Sequence, residues 1–213
     1  MITDERFVAY INSLDAGNPA YLDELEAYAI QTQVPIIRKE MQSFMRTMLL
    51  MNKPKRILEV GTAIGFSALL MSEFMPQDGH ITTIENYEKR IPIARANFQK
   101  YGKEERITLL EGDAAEVLKT LEGPYDFIFM DAAKGQYIHY LPEIMRILAP
   151  GGVLISDNVM QDGDIIESKY AITRRDRTIH RRMREYLYTL THHDELQTSI
   201  LTLGDGVAVS VRK

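Results

Sequence analysis

From residue 56 onward, short apolar runs and helix-length segments alternate, and this alternation constrains the fold more than any other feature of the chain. Residues 56–60, 80–84, 107–110, 126–130 and 153–156 each read as a short apolar strand. Segments at about 65–75, 87–101, 114–121 and 136–148 separate them. Parallel strands need a long crossover connection, usually a helix, and a strand with little polar alternation is buried on both faces. The expected architecture is therefore α/β: a doubly wound, mostly parallel sheet with helices on both faces. A last helical segment, about 167–191, precedes an apolar run at 199–203; Gly204-Asp205-Gly206 then turns the chain into 207–211. Two strands joined by so short a turn must be antiparallel. Seven strands are expected, five parallel and a closing C-terminal antiparallel hairpin.

The first 52 residues read differently, as a helical extension packed on a single domain that spans 1–213. Asp4 to Leu14 is one candidate helix. Asn18-Pro19 reads as an N-cap followed by Pro at the first helical position, opening a helix to about Gln33. Pro35 interrupts, and a third helix reaches about Asn52. In it Met41, Met45, Met48 and Met51 fall at helical spacing, the pattern of a buried stripe. A length of 213 residues suits one domain with a sizeable core. The chain has no cysteine, which excludes a thiol nucleophile, a cysteine zinc site and a disulfide framework. No apolar run approaches the ~20 residues that span a bilayer, and the start carries early acids without an apolar core. A cytoplasmic protein without membrane contact is expected.

Ligands of open α/β sheets bind beyond the carboxyl ends of the strands, and chemistry-bearing residues recur there. The first strand runs into Glu59-Val60-Gly61-Thr62-Ala63-Ile64-Gly65-Phe66-Ser67. This is not the dinucleotide pattern G-x-G-x-x-G, because Gly61 and Gly65 lie four apart with Ala63 between. Glu59 would repel a pyrophosphate and suits a cationic ligand end, such as an amino group. The second strand ends in Glu85, placed to accept both ribose hydroxyls of a nucleoside. Gly112-Asp113-Ala114 follows the third, where an adenine edge could be read. Together these fit an adenosyl ligand without phosphates, S-adenosylmethionine more readily than NAD. An NAD-dependent oxidoreductase is the alternative of another class.

The fourth strand ends in Asp131-Ala132-Ala133-Lys134 and the fifth in Asp157-Asn158. If those strands are neighbours, two carboxylates and an amide oxygen converge at one sheet edge. Such a hard-oxygen set suits Mg²⁺, Mn²⁺ or Ca²⁺ and is poor for zinc or copper. Without a cation the clustered carboxylates would repel. The plainer alternative is that Asp131 caps a helix and Asp157-Asn158 opens a loop. Lys134, about one helical turn beyond Asp131, could reach the same site as a general base or an electrostatic clamp.

These motifs resemble the catechol and caffeoyl-CoA O-methyltransferase family. The likeness runs from Val34 through the Gly204-Asp205-Gly206 turn and rests on the 57–67 loop, on Asp131 to Tyr137 and on Asp157-Asn158-Val159. The resemblance implies a Rossmann-like methyltransferase fold, S-adenosylmethionine as donor and Mg²⁺ or a similar cation held by Asp131, Asp157 and Asn158. It implies Lys134 as the catalytic lysine. It implies donor contacts from Val34, Ile37, Glu59, Gly61, Ser67, Glu85, Gly112, Asp113, Ala114 and Asp131. A homodimer is also implied. Within the family the chain looks most like enzymes that methylate 5-hydroxyuridine at the wobble position of tRNA.

One stretch bears on the acceptor independently. Residues 169–184 hold seven Lys/Arg and one acid, a local +6 in a chain of net charge −5. The segment begins eleven residues after Asn158, so it should lie near the mouth of the site. Arg174, Arg175, Arg177, Arg181 and Arg182 are candidate contacts to a tRNA anticodon loop, since arginine pairs with phosphates and stacks on bases. The alternatives are a solvated helix face and a small phenolic acceptor.

Overall fold

The computed structural model describes residues 3–213. One seven-stranded sheet dominates it, in the order β3-β2-β1-β4-β5-β7-β6. The strands are β1 (Arg56–Val60), β2 (His80–Glu85), β3 (Ile107–Glu111), β4 (Tyr125–Met130), β5 (Leu148–Ser156), β6 (Leu196–Leu201) and β7 (Val207–Arg212). The first five are parallel; β7 runs antiparallel to both β5 and β6. The expected fold class stands, and the order reverses beside β1, the crevice where such sheets bind ligands.

The helices are α1 (Glu5–Ser13), α2 (Ala20–Gln31), α3 (Lys39–Asn52), α4 (Phe66–Phe74), α5 (Ile91–Lys100), α6 (Ala114–Thr120), α7 (Tyr137–Ile147) and α8 (Arg177–His192). They cover the sheet on two faces because successive strand side chains point to opposite sides. Along β4, Phe127 and Phe129 enter one core with Met41, Met45 and Leu69. Ile128 and Met130 enter the other with Tyr137, Met183 and Tyr186. A strand buried on both sides has no polar face to display, which is why these runs lack alternation.

Local geometry departs from expectation in several places. Asn18 does not cap α2. Pro19 occupies that position, and the Asn18 amide instead donates to Gln42 at 2.6 Å. Its oxygen accepts from Arg46, whose guanidinium also pairs with Asp15. This part-buried network was a stronger use of the side chain than a cap. The methionine stripe holds for Met41 and Met45, but Met51 is 73% exposed, because α3 ends one residue later and its last turn leaves the core. The third helix runs from Lys39 to the expected end at Asn52. The hairpin pairs Leu196–Leu201 with β7, leaving 202–206 for the turn. The segment at 167–191 is helical only from Arg177. Ahead of it lie irregular backbone and a broken 3-10 turn, Gln161–Ile166, in which Gln161, Asp162 and Gly163 all have positive φ.

Candidate active site

A cavity of about 560 Å³ opens at the carboxyl ends of β1, β2, β4 and β5, where the sheet order reverses. One end is built by the β1–α4 loop. Gly61 sits at φ 93°, and a Cβ there would lie 2.1 Å from the backbone oxygen of Asp131. Only glycine permits that approach. Gly65, at φ 87°, has Phe98 where its side chain would go. The loop is thus pressed flat against β4 on one side and α5 on the other, which leaves the space above it for a ligand.

Glu85, at the end of β2, lines this cavity. Its carboxylate accepts from the backbone N–H of Ala63 at 2.8 Å and from those of Asn86 and Tyr87 at 2.9 Å. It is therefore fixed in orientation before any ligand arrives. Gly112, Ala114, Ser67 and Ile37 also line the cavity. Ile37 is placed by the side-chain amide of Gln42, which donates to its carbonyl at 3.0 Å.

Three of the residues expected to contact the donor are not among those that line the cavity. Val34 is not part of the lining; it packs against the core beneath the 35–38 segment. Asp113 is exposed, and its carboxylate caps α6 by accepting from Ala115 N–H at 2.8 Å. Glu59 is wholly buried beneath the loop. Thr83 donates to its Oε2, while Oε1 has no partner. Burial raises its pKa to about 7; the nearby Ser67, Thr62 and Thr83 hydroxyls oppose the rise and the charge of Asp131 adds to it. A buried carboxylate with a free oxygen is a socket for a cationic or hydrogen-bond-donating group.

The other end of the cavity is built by β4, β5 and the β6–β7 turn. β4 and β5 are neighbours in register, Met130 opposite Ser156, so Asp131 and Asp157 follow at adjacent strand ends. Both line the cavity with Asn158 and Lys134. Burial raises the pKa of both acids, and the charge of Asp131 raises Asp157 further. Asn158 holds φ 57°, a left-handed conformation that asparagine tolerates better than most residues. Among the described residues no cluster of three His, Cys, Asp or Glu has metal-binding spacing. The candidate set is instead two carboxylates and an amide. Lys134 acts on both carboxylates but pairs directly with Asp205, and two carboxylates with an amide oxygen form a hard-oxygen set that a divalent cation fits.

Lys134 begins the 3-10 turn Lys134–Gln136, and its ammonium pairs with Asp205 at 3.1 Å. Asp205 is 4% exposed and lines the cavity; its other oxygen accepts from the backbone N–H of Asp162. In the sequence Asp205 reads only as a turn residue between Gly204 and Gly206. The signal that could have found it is an acid between two glycines at the carboxyl-end rim of the sheet. Arg38, also in the lining, reaches Asp162 at 3.9 Å across the cavity mouth.

The basic segment lies beside this end. α8 packs against the Lys134–Gln136 turn and the Gln161–Ile166 turn. Arg182 is half-buried and donates to the Gly135 carbonyl at 3.1 Å. It is a structural fastener of the lysine turn, not the free contact expected, because the helix turns it inward. Arg174, Arg175, Arg177 and Arg181 are exposed, and none forms a salt bridge among the described residues. No helix among them is long and apolar enough to cross a membrane.

Known proteins share this architecture and sequence. A family model described as O-methyltransferase matches residues 12–213. The catechol O-methyltransferase of Mycobacterium tuberculosis is 31% identical over 161 residues, 74% of this chain and 73% of that protein. A catechol O-methyltransferase of Niastella koreensis is 29% identical over 169 residues, 77% of this chain and 70% of that protein. The solved SAH-bound Podospora anserina methyltransferase PaMTH1 superposes with a TM-score of 0.88 at 31% identity, covering 98% of this chain and 94% of that one. With a family match along nearly its whole length, the chain belongs to the O-methyltransferase family and uses S-adenosylmethionine as its methyl donor.

Proposed function

We propose that this protein is a divalent-cation-dependent O-methyltransferase whose acceptor is 5-hydroxyuridine at the wobble position of tRNA, converted to 5-methoxyuridine. The observation that carries the acceptor is the row of exposed arginines on α8 and the segment before it, beside the cavity mouth. Exposed arginines without acidic partners suit a phosphate backbone, and the wobble base lies in a single-stranded loop whose bases are accessible.

Asp131, Asp157 and Asn158 would hold Mg²⁺ or another hard cation. When bound, the cation favours the ionised acceptor hydroxyl and the donor supplies a sulfonium methyl. The chain's own residues do the positioning. Gly61 and Glu85 set the donor against β4, and Asp131 stands between donor and acceptor ends. Lys134, held by Asp205, presents N–H donors to the acceptor oxygen as negative charge gathers there. Holding that oxygen in line with the methyl supplies much of the rate. The 5-hydroxyl and 4-carbonyl of 5-hydroxyuracil form a vicinal oxygen pair like that of a catechol.

A second reading, a small vicinal-dihydroxy phenolic acceptor, is favoured by the names of the curated relatives. Methyl transfer from labelled S-adenosylmethionine with Mg²⁺ separates the two: tRNA carrying 5-hydroxyuridine is compared with a small catechol. Labelling of tRNA far above catechol is expected. The reverse result would leave donor and metal sites standing and assign the arginines to a solvated face. The same reading includes a homodimer. Its contact surface is the apolar stripe of α1, where Phe7, Tyr10, Ile11 and Leu14 are 56–67% exposed, and light scattering on the purified protein tests it.

A further inference from the structure

The two candidate metal carboxylates sit at the last backbone bonds of the sheet; Asp131 N–H donates to the Val60 carbonyl at 3.0 Å. The β4–β5 ladder ends at Met130 opposite Ser156, and one further bond, Asp157 N–H to the Met130 carbonyl at 3.0 Å, closes it. Asp131 and Asp157 carry the last of these bonds. When both are ionised with no cation between them, their like charges push the two strand ends apart. One further group bridges the two ends.

Tyr137, at the start of α7, is wholly buried beneath the two ends. Its hydroxyl accepts from the backbone N–H of Ala132 at 3.1 Å. It lies 3.2 Å from the carbonyl of Met130 and 3.2 Å from that of Asp157, to which its single proton is shared. One oxygen thus joins the residue before Asp131, the residue after it and Asp157 itself. The ring is fixed by edge-on packing against Tyr186, centroids 5.6 Å apart.

We infer that Tyr137 is a positioning residue of the metal centre, its hydroxyl locking the ends of β4 and β5 at the separation that lets both carboxylates face one cation. This rests on the cation site proposed above. It differs from a buried tyrosine merely satisfying its own hydroxyl. Tyr186 is that case: equally buried, its hydroxyl meets only the Ser156 side chain, at 2.6 Å. It touches neither strand-end backbone.

Tyr137→Phe and Tyr186→Phe form the test. Mn²⁺ binding to each purified variant is titrated by spin-resonance loss of the free-ion signal. Amide hydrogen exchange is followed in peptides covering 130–136 and 156–160. Tyr137→Phe should weaken Mn²⁺ about tenfold or more, the usual effect of losing a group that orients metal ligands. It should also speed exchange at both strand ends. Tyr186→Phe should lower thermal stability comparably while leaving Mn²⁺ affinity within about twofold and both peptides protected. Equal Mn²⁺ affinity in Tyr137→Phe and wild type, or equal losses in both variants, would overturn the inference. A wild-type protein that takes up no Mn²⁺ would refute the cation site, whereas unchanged exchange in Tyr137→Phe would refute the lock on its own.

Discussion

Glu59 carries a measurable pH dependence in the ligand-free protein. Its carboxyl is wholly buried, with Oε1 unpartnered, and its pKa rises from an ordinary 4.5 to about 7. A raised acid contributes stability that is fully present below its unfolded value and lost as pH climbs through the folded one. Between about pH 4.5 and 7 the wild-type protein should therefore lose about 3 kcal/mol from this side chain. Because the group is 0% exposed, solvent screening does not reduce that figure. Glu59→Gln keeps an acceptor for the Thr83 hydroxyl and cannot ionise. For a chain of this size each kcal/mol moves Tm by ~2–4 °C. The Tm of Glu59→Gln minus that of wild type should thus grow by roughly 10 °C between pH 5 and pH 8. Differential scanning fluorimetry of both proteins without ligand, across that range, measures it. The difference removes those parts of the Asp131 and Asp157 shifts that do not depend on the Glu59 charge, which acts on Asp131. Parallel curves would refute the reasoning and show that water reaches Glu59. Saturation with S-adenosylhomocysteine, whose ammonium can meet the free carboxylate oxygen, should flatten the wild-type curve.

The remaining predictions concern the two ends of the cavity. Gly61→Ala forces a methyl into the Asp131 carbonyl; it should cost about 1–3 kcal/mol of stability and weaken donor binding at least tenfold, read by equilibrium dialysis, and unchanged affinity would remove the steric argument. Asp205→Asn leaves an acceptor but takes away the charge that holds Lys134; turnover should fall roughly 100-fold with the KM for the donor unchanged, and a rise in donor KM instead would move Asp205 to the other end. Asp131→Ala should abolish metal-stimulated turnover, and full activity in that variant with chelator present would sink the cation mechanism. Neutralising Arg174, Arg175, Arg177 and Arg181 together should depress methylation of tRNA and spare that of catechol; equal rates on tRNA before and after would free the segment of any such role.

The fold was legible in the chain because burial on both faces leaves a mark in composition. Phe127 to Met130 has no polar alternation, as a parallel strand covered on both faces requires, and the helix-length segments on either side supply the crossovers. The site was legible where its residues follow strand ends, since the topology alone delivers Gly61, Glu85, Asp131 and Asp157 to one edge. What failed depended on rotation or on distant pairing. Arg182 and Arg181 are adjacent in sequence, yet only one turns toward the Gly135 carbonyl, a fact of how α8 docks. Asp205 reaches Lys134 only because β7 inserts between β5 and β6, and the hairpin alone does not say which neighbour it will choose. Asn18 had the composition of a cap, but a guanidinium from another helix competed for it and won.

The contact between Gly61 and the Asp131 carbonyl makes one residue the shared wall of two compartments. Its backbone is the surface on which the Gly61 loop rests, and it lines the cavity beside Asp157 and Asn158. Occupancy on either side that moves residue 131 therefore changes affinity on the other. Thermodynamic linkage makes the exchange equal in both directions: whatever factor the cation adds to donor affinity, the donor must add to cation affinity. If the cation and donor sites proposed above are occupied as described, the protein gathers its ligands as a set through this one residue, without a hinge or a second domain.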